Sequence, residues 1–399
     1  MRMDNVELVT ELRHELHAHP ELSNHEVWTR RRLIDFLHAH TRNLEIIDEG
    51  KGYFYARYIC HGSSETVAVR ADFDALPIDE GIRMPWSSRN PGVSHKCGHD
   101  GHSASLVGLA LEVDQKGADK NVVFIFQDAE EVGDGARVAC EVIERERVDE
   151  VYAFHNWSRM EAGTVNVIDG PTMPASRGLA IAFHGKTSHA AEPENGINPA
   201  FAIAKVVDAV PGLTRPEDHK GYVMCTIVQV DVGSANFGVN AGEGRLLMTL
   251  RAQYEEEIDE LQAALESLAR EHAAEAGMTV EFELSDVFPA TINAKQCADA
   301  VRAAAEAAGV AWHTLPDPSP VRASEDFGYY QQKAPGCMFY IGNGFDYPDV
   351  HTTPYDFPDA NIAVAMKVFS RLVGVKQEGE GASAAAIEEM APSVTSIRR

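Results

Sequence analysis

The chain has 399 residues, 44% of them hydrophobic, enough to bury the cores of two or three domains. Its 61 acidic residues against 35 lysines and arginines give a net charge of −26, which repels phosphate backbones and argues against a nucleic-acid partner. No run of ~18 apolar residues suggests a membrane span. The six cysteines have no paired spacing, so a disulfide framework is not expected.

The opening "MRMDNVELVTELRHELHAHP" is polar and helix-patterned rather than a secretion signal, which makes the cytoplasm the expected location. Next comes a strand in "ETVAVRADFDALPI", then the dense stretch "HKCGHDGH", and then a helix in "SASLVGLALEVDQKG" that ends in glycine. "NVVFIFQDAEE" reads as strand, "EVIERERV" as helix and "EVYAFHNW" as strand. This alternation predicts an α/β fold, a parallel or mixed sheet with helices on both faces. Such sheets collect ligands beyond the carboxyl ends of their strands. Asp72, Asp74, Glu130, Glu131 and His155 all stand at those ends, and the late strand "CMFYIGNG" leads into the loop that carries His351.

Between residues 176 and 288 the order changes to strand, helix, strand, strand, helix, strand, which predicts an inserted α+β, ferredoxin-like domain. The catalytic domain is then discontinuous, with residues 1–175 and 289–375 flanking the insertion. From residue 376 the chain is small, charged and unpatterned, so residues 376–399 are expected to form an unstructured tail.

Cys97 and His99 are separated by one glycine, which lets both side chains reach one centre. The doublet Glu130–Glu131 is more telling, because adjacent carboxylates repel unless a cation lies beside them. His155 and His351 add imidazoles, and a Cys/His/Glu set suits Zn²⁺, Mn²⁺ or Co²⁺ better than Mg²⁺. A metal ion held there lowers the pKa of its bound water toward ~7. An unligated glutamate beside it can serve as general base and then general acid. Simpler roles also exist for some of these residues. Asp72 and Asp74 can end a strand in a turn, the glutamates can mark a helix start, and His95 and His102 fit a surface position as well as one behind the ligands.

Six motifs, "VRADFDALPI", "HKCGHDGH", "FQDAEE", "SHAAEP", "SEDFGYY" and "GNG" followed by "VHTTPYDFPD", occur in an order and spacing that resembles the amidohydrolases related to hippurate hydrolase, N-acyl-amino-acid amidohydrolase and indoleacetyl-amino-acid hydrolase. The resemblance implies a zinc-exopeptidase-like α/β/α catalytic domain with an inserted lid that dimerises, and two divalent transition-metal ions per subunit. By position it makes Cys97, His99, Glu131, His155 and His351 the metal ligands and Glu130 the general base. It makes Asp100, with Asp72, a carboxylate placed behind the ligands, Asp100 orienting a ligand histidine. His189 is then an oxyanion donor that reaches into the partner subunit's site, and Asn240 and Arg251 contact the substrate. Two departures stand out: Glu194 follows Pro193 where the family often has histidine, and the hairpin after Asn240 is short and lacks a proline. The implied reaction is hydrolysis of an N-acyl-amino acid or similar small amide. A dipeptidase on the same scaffold and a catalytically silent binding protein are the alternatives.

Overall fold

The computed structural model describes residues 4–316, 319 and 321–376. The tail expected from residue 376 lies, after Lys376 itself, outside the described residues.

An eight-stranded mixed sheet forms the larger body, in the order Glu45–Lys51, Tyr53–Tyr58, Asn121–Gln127, Thr66–Asp72, Glu150–Ser158, Gly336–Gly344, Val165–Val167, Trp312–Thr314. The four central strands are mutually parallel, so Asp72, Gln127, Ser158 and Gly344 all end at one edge. These strands are apolar on both faces because both are covered. Val122, Phe124 and Phe126 pack on one side with Val67, Val69, Leu106 and Leu109. Val123 and Ile125 point to the other side, toward Val142, Ile143 and Tyr330. The first layer holds helices Asn5–Ala18, His99–Lys116 and Ala360–Leu372, and the second the short helices Gly135–Ala139, Glu141–Arg145 and Gly328–Gln331. Helix His99–Lys116 is buried on nearly all sides, which explains its lack of an amphipathic stripe. Fully burying each of its leucines is worth about 1.5–3 kcal/mol.

A second, antiparallel sheet takes its strands from residues 175 to 288, in the order Val223–Val232, Glu243–Ala252, Ala175–His184, Thr279–Phe288. Alternate residues of strand Glu243–Ala252, namely Leu246, Met248, Leu250 and Ala252, are buried with Ile203 and Val206 of helix Ala200–Leu213 and with Ile258 and Leu261 of helix Glu255–Ala276. Among the described residues no helix packs on the other face, and the edge strand exposes Val228 and Val230. Among the described residues no helix is long and apolar enough to cross a membrane.

Candidate metal centre

The stretch that carries Cys97 and His99 enters its helix through Gly98, whose φ of +107° lies in the left-handed region. A Cβ there would meet Asn156 Oδ1 at 2.4 Å and the Tyr355 hydroxyl at 2.8 Å, so only glycine allows Cys97 and His99 to turn toward one point. Asn156 also donates to the Cys97 carbonyl at 3.2 Å and so fixes the turn.

The expected ligands converge. Cys97 Sγ lies 3.4 Å from His155 Nε2 and 3.3 Å from His351 Nε2. His351 Nε2 is 3.4 Å from Glu131, and His99 Nε2 is 3.7 Å from Glu131 and 3.8 Å from Glu130. Two triads, Cys97/His99/His155 and Cys97/Glu131/His351, each bring their donor atoms within 4.8 Å and share the cysteine. His351 holds a φ of +61°, unusual outside glycine, and its amide donates to the Lys96 carbonyl at 2.6 Å.

Each ligand imidazole with a buried second nitrogen is oriented through it. His99 Nδ1 donates to Asp74 Oδ1 at 2.9 Å, and His155 Nδ1 donates to the Asn156 carbonyl at 2.8 Å. Each ring then turns Nε2 toward the cluster, the arrangement a metal ligand needs.

The cluster's electrostatics call for positive charge. Burial, reinforced by Glu325 and Glu131, pushes the Glu130 carboxyl well above its usual range. Burial pushes Glu131 up to about 8, and burial with Glu131 and Glu130 nearby pushes the Cys97 thiol well up. His99 is carried up to about 10: burial opposes the charge, but Asp72 and Asp74 outweigh it. Burial, then His102, holds His155 well below the usual imidazole range. His99 Nε2 and Glu131 Oε1 are buried with no hydrogen-bond partner. Buried atoms of this kind are costly to leave unpaired, and a soft thiolate, imidazole and carboxylate set beside them fits a pair of divalent transition ions.

Glu130 is 5% exposed and lies at the floor of a cavity of about 280 Å³ bounded by Cys97, His155, Trp157, Ser324 and His351. Behind it Arg70 pairs with Asp72 at 2.7 Å, Glu325 at 2.9 Å and Asp326 at 2.7 Å. One guanidinium thus holds three carboxylates beneath the site.

The other expected residues are distributed differently. Asp72 accepts from His102 Nδ1 at 2.7 Å and lies 3.9 Å from His99 Nε2. Asp100 departs from its expected role. It pairs with Arg13 at 2.9 Å and His17 at 2.8 Å, and the carboxylate that orients a ligand histidine is Asp74. The reason is helical geometry: one step past His99, a side chain is rotated by ~100° about the axis, here toward helix Asn5–Ala18. His95 and His102 are both buried. Glu130–Glu131 precede rather than begin a helix, which starts at Gly135.

On the second sheet's periphery His189 is exposed, its Nδ1 accepting the Ala191 amide at 3.1 Å. It pairs in a two-residue ladder with Val239, alongside Ser188 and Asn240. Asn240 accepts from Asn198 at 2.8 Å and donates to Ser188 at 3.1 Å. Val239 and Asn240 of this ladder line a cavity other than the one at the cluster. Arg251 donates to Ser324 Oγ at 2.8 Å and to the Arg322 carbonyl at 3.1 Å, so it braces the loop that rims the cavity.

Comparison with known proteins agrees with this geometry. Residues 68–374 match the model of the peptidase family M20/M25/M40. N-acetylcysteine deacetylase from Bacillus subtilis is 30% identical over 373 residues, covering 92% of this chain and 96% of its own. IAA-amino acid hydrolase ILR1-like 4 from Arabidopsis thaliana is 29% identical, covering 86% and 78%. The crystal structure of a Bacillus subtilis dinuclear metal-binding peptidase from the M20 family matches with a TM-score of 0.78 at 28% identity, covering 92% of this chain and 97% of the other.

Proposed function

Because the chain belongs to the peptidase family M20/M25/M40, we propose that it hydrolyses the amide bond of N-acyl-amino acids or related small conjugates, with Glu130 as the proton carrier. The observation that carries this reading is Glu130 itself, a buried carboxyl beside Glu131 that faces the cavity. A purely structural metal site has no use for such a group.

Cys97, His99, Glu131, His155 and His351 would hold the two ions, which supply carbonyl polarisation and a more acidic water. Glu130 takes a proton from the attacking water as the water oxygen bonds to the carbonyl carbon. It then returns that proton to the amide nitrogen as the C–N bond breaks, releasing a carboxylic acid and an amine. Arg70 holds Glu325 and Asp326 behind Glu130.

His189 completes the reading. Exposed, it serves the site of a second copy, where it stabilises the oxyanion. The copies pair through the inserted sheet, whose edge strand presents Val228 and Val230, with the fully exposed Phe237 nearby. In this reading Asn240, beside His189, and Arg251, which donates to Ser324, recognise the substrate's carboxylate or the reaction centre. The reading places the enzyme in the cytoplasm, where its six free cysteines stay reduced.

The test is an assay of metal-reconstituted protein on N-acetyl-amino acids alongside dipeptides, comparing wild type with Glu130→Gln. Wild type should cleave the acylated substrates in preference, and the variant should keep its metal while losing ~10²–10⁴ in turnover. Loss of metal instead would exchange the roles of Glu130 and Glu131. Preference for dipeptides would favour a dipeptidase.

A further inference from the structure

Beside the metal-site cavity lies a larger one, of about 760 Å³, and the two share Trp157 and Val350 as walls. It sits past the carboxyl ends of strands Glu150–Ser158 and Gly336–Gly344, at the same sheet edge as the ligands. Trp157 is a firm partition: its ring stands edge-on to His155 at 5.6 Å and to Tyr340 at 5.9 Å. Val350 directly precedes the ligand His351. A substrate with its amide at the cluster therefore reaches this second space by passing Trp157.

The lining identifies the occupant. Met160, Leu315 and Phe345 join Trp157 and Val350 to give the cavity apolar walls, and Phe345 is 69% exposed. The charged residues that line it are solvent-exposed. Arg159 pairs with Asp349, and His313 pairs with Glu161 at 3.2 Å. None of these charges is buried in the cavity to select an ionic group. The volume falls in the range of small-molecule sites, roughly 300–1,000 Å³, and far exceeds what an acetyl group fills.

We infer that this cavity is a specificity subsite that takes one neutral, apolar arm of the substrate, of aromatic size or larger. The inference rests on the amidohydrolase reading above. The arm is either the acyl chain or the amino acid side chain, which share this chemistry.

Two substrate series separate the arms: N-acetyl-, N-benzoyl- and N-octanoylglycine, and N-acetyl-alanine, -leucine and -phenylalanine. In one series kcat/KM should rise at least tenfold with bulk, since even a single methylene in an apolar pocket is worth roughly 10–200-fold. Leu315→Arg, which places a charged chain in the cavity, should abolish that rise while leaving the smallest substrate within about twofold of wild type. Phe345→Ala, a change at an exposed position, should reduce the same series by a smaller factor. Equal loss on every substrate, or no dependence on bulk in either series, would overturn the subsite. Should wild type hydrolyse neither series, the amidohydrolase reading fails by itself. Calorimetric binding of N-octanoylglycine and N-acetylphenylalanine to wild type and to Leu315→Arg then decides the subsite: selective weakening in the variant supports it, and equal affinity refutes it.

Discussion

Asp74 ties His99 to Glu131. One of its oxygens accepts from His99 Nδ1 at 2.9 Å, and the other accepts the Glu131 amide at 3.0 Å. Ser23 donates to that second oxygen at 2.7 Å, so the carboxylate is fully engaged and wholly buried. A single side chain thus sets the ring of one ligand and the backbone of another. Removing it as Asp74→Ala should weaken metal binding ~10–100-fold, the usual cost of losing an outer partner of a ligand histidine. Competition against a chelator measures this, and Asp74→Asn, which keeps an acceptor, should lie between. Unchanged affinity in the alanine variant would mean that the ligands orient themselves.

The other flank of the glutamate doublet is held by Glu26. It accepts the amide of Ala129 at 2.8 Å, where Ala129 takes a φ of +48°. Burial, with Asp74 close by, pushes the Glu26 carboxyl up to about 8 from an ordinary 4.5. The folded protein therefore keeps a proton that the unfolded chain gives up, and stability falls as pH rises from about 4.5 toward about 8. Glu26→Gln preserves an acceptor and has no proton to lose. Its melting temperature should exceed that of wild type by a margin that grows between pH 5 and pH 8 and is flat beyond. A margin independent of pH would show that Glu26 is ionised throughout.

How far the sequence carries depends on where partners lie along the chain. Strand ends leading to Asp72, Glu130 and Glu131 were legible because alternating buried strands and helices force a covered sheet, and a covered sheet has one ligand-gathering edge, whereas His155 lies inside strand Glu150–Ser158 rather than after it. Cys97, His99 and His351 were legible by motif and converge in space at Cys97 Sγ. Asp74 reads equally well as a residue that ends a strand in a turn, so the sequence alone does not single it out. The role that the resemblance implies for Asp100 fails because its side chain turns toward Arg13 and His17, a rotation that motif position does not show. Arg70 left no trace at all: it is one charged residue in an apolar strand, and Glu325 and Asp326, which explain its burial, lie about 255 positions away. The large apolar cavity was equally silent, since its walls come from four separate segments.

Arg13 gives the most direct stability prediction. It is 0% exposed and joins Asp100 at 2.9 Å, with Asp356 and Asp359 also on its guanidinium, so helix Asn5–Ala18 is pinned to the ligand-bearing stretch and to the loop after His351. Arg13→Met keeps much of the volume but leaves Asp100 buried without its cation. Breaking such a pair typically costs about 3–5 kcal/mol. Denaturant unfolding of the apo-protein should show that loss, and adding Asp100→Asn should recover part of it by removing the stranded charge. If the double variant is no more stable than the single one, the loss is one of packing rather than charge.

The proposed role of His189 is testable by complementation. His189 is exposed, whereas Glu130 is 5% exposed and lines the cavity, and the proposed role requires a second copy to bring the two together. A dimer mixed from His189→Ala and Glu130→Gln subunits then contains one site with both residues and one with neither. Each parent homodimer should be nearly inactive, since losing an oxyanion donor alone costs ~10²–10³ in turnover. The mixed dimer should recover up to about half of wild-type activity, provided its two sites act independently. Subunit exchange is verified separately, by differently tagged copies that co-purify. With exchange confirmed, no recovery above the parents would mean that His189 acts within its own chain, because every mixed site would then lack either the base or the donor.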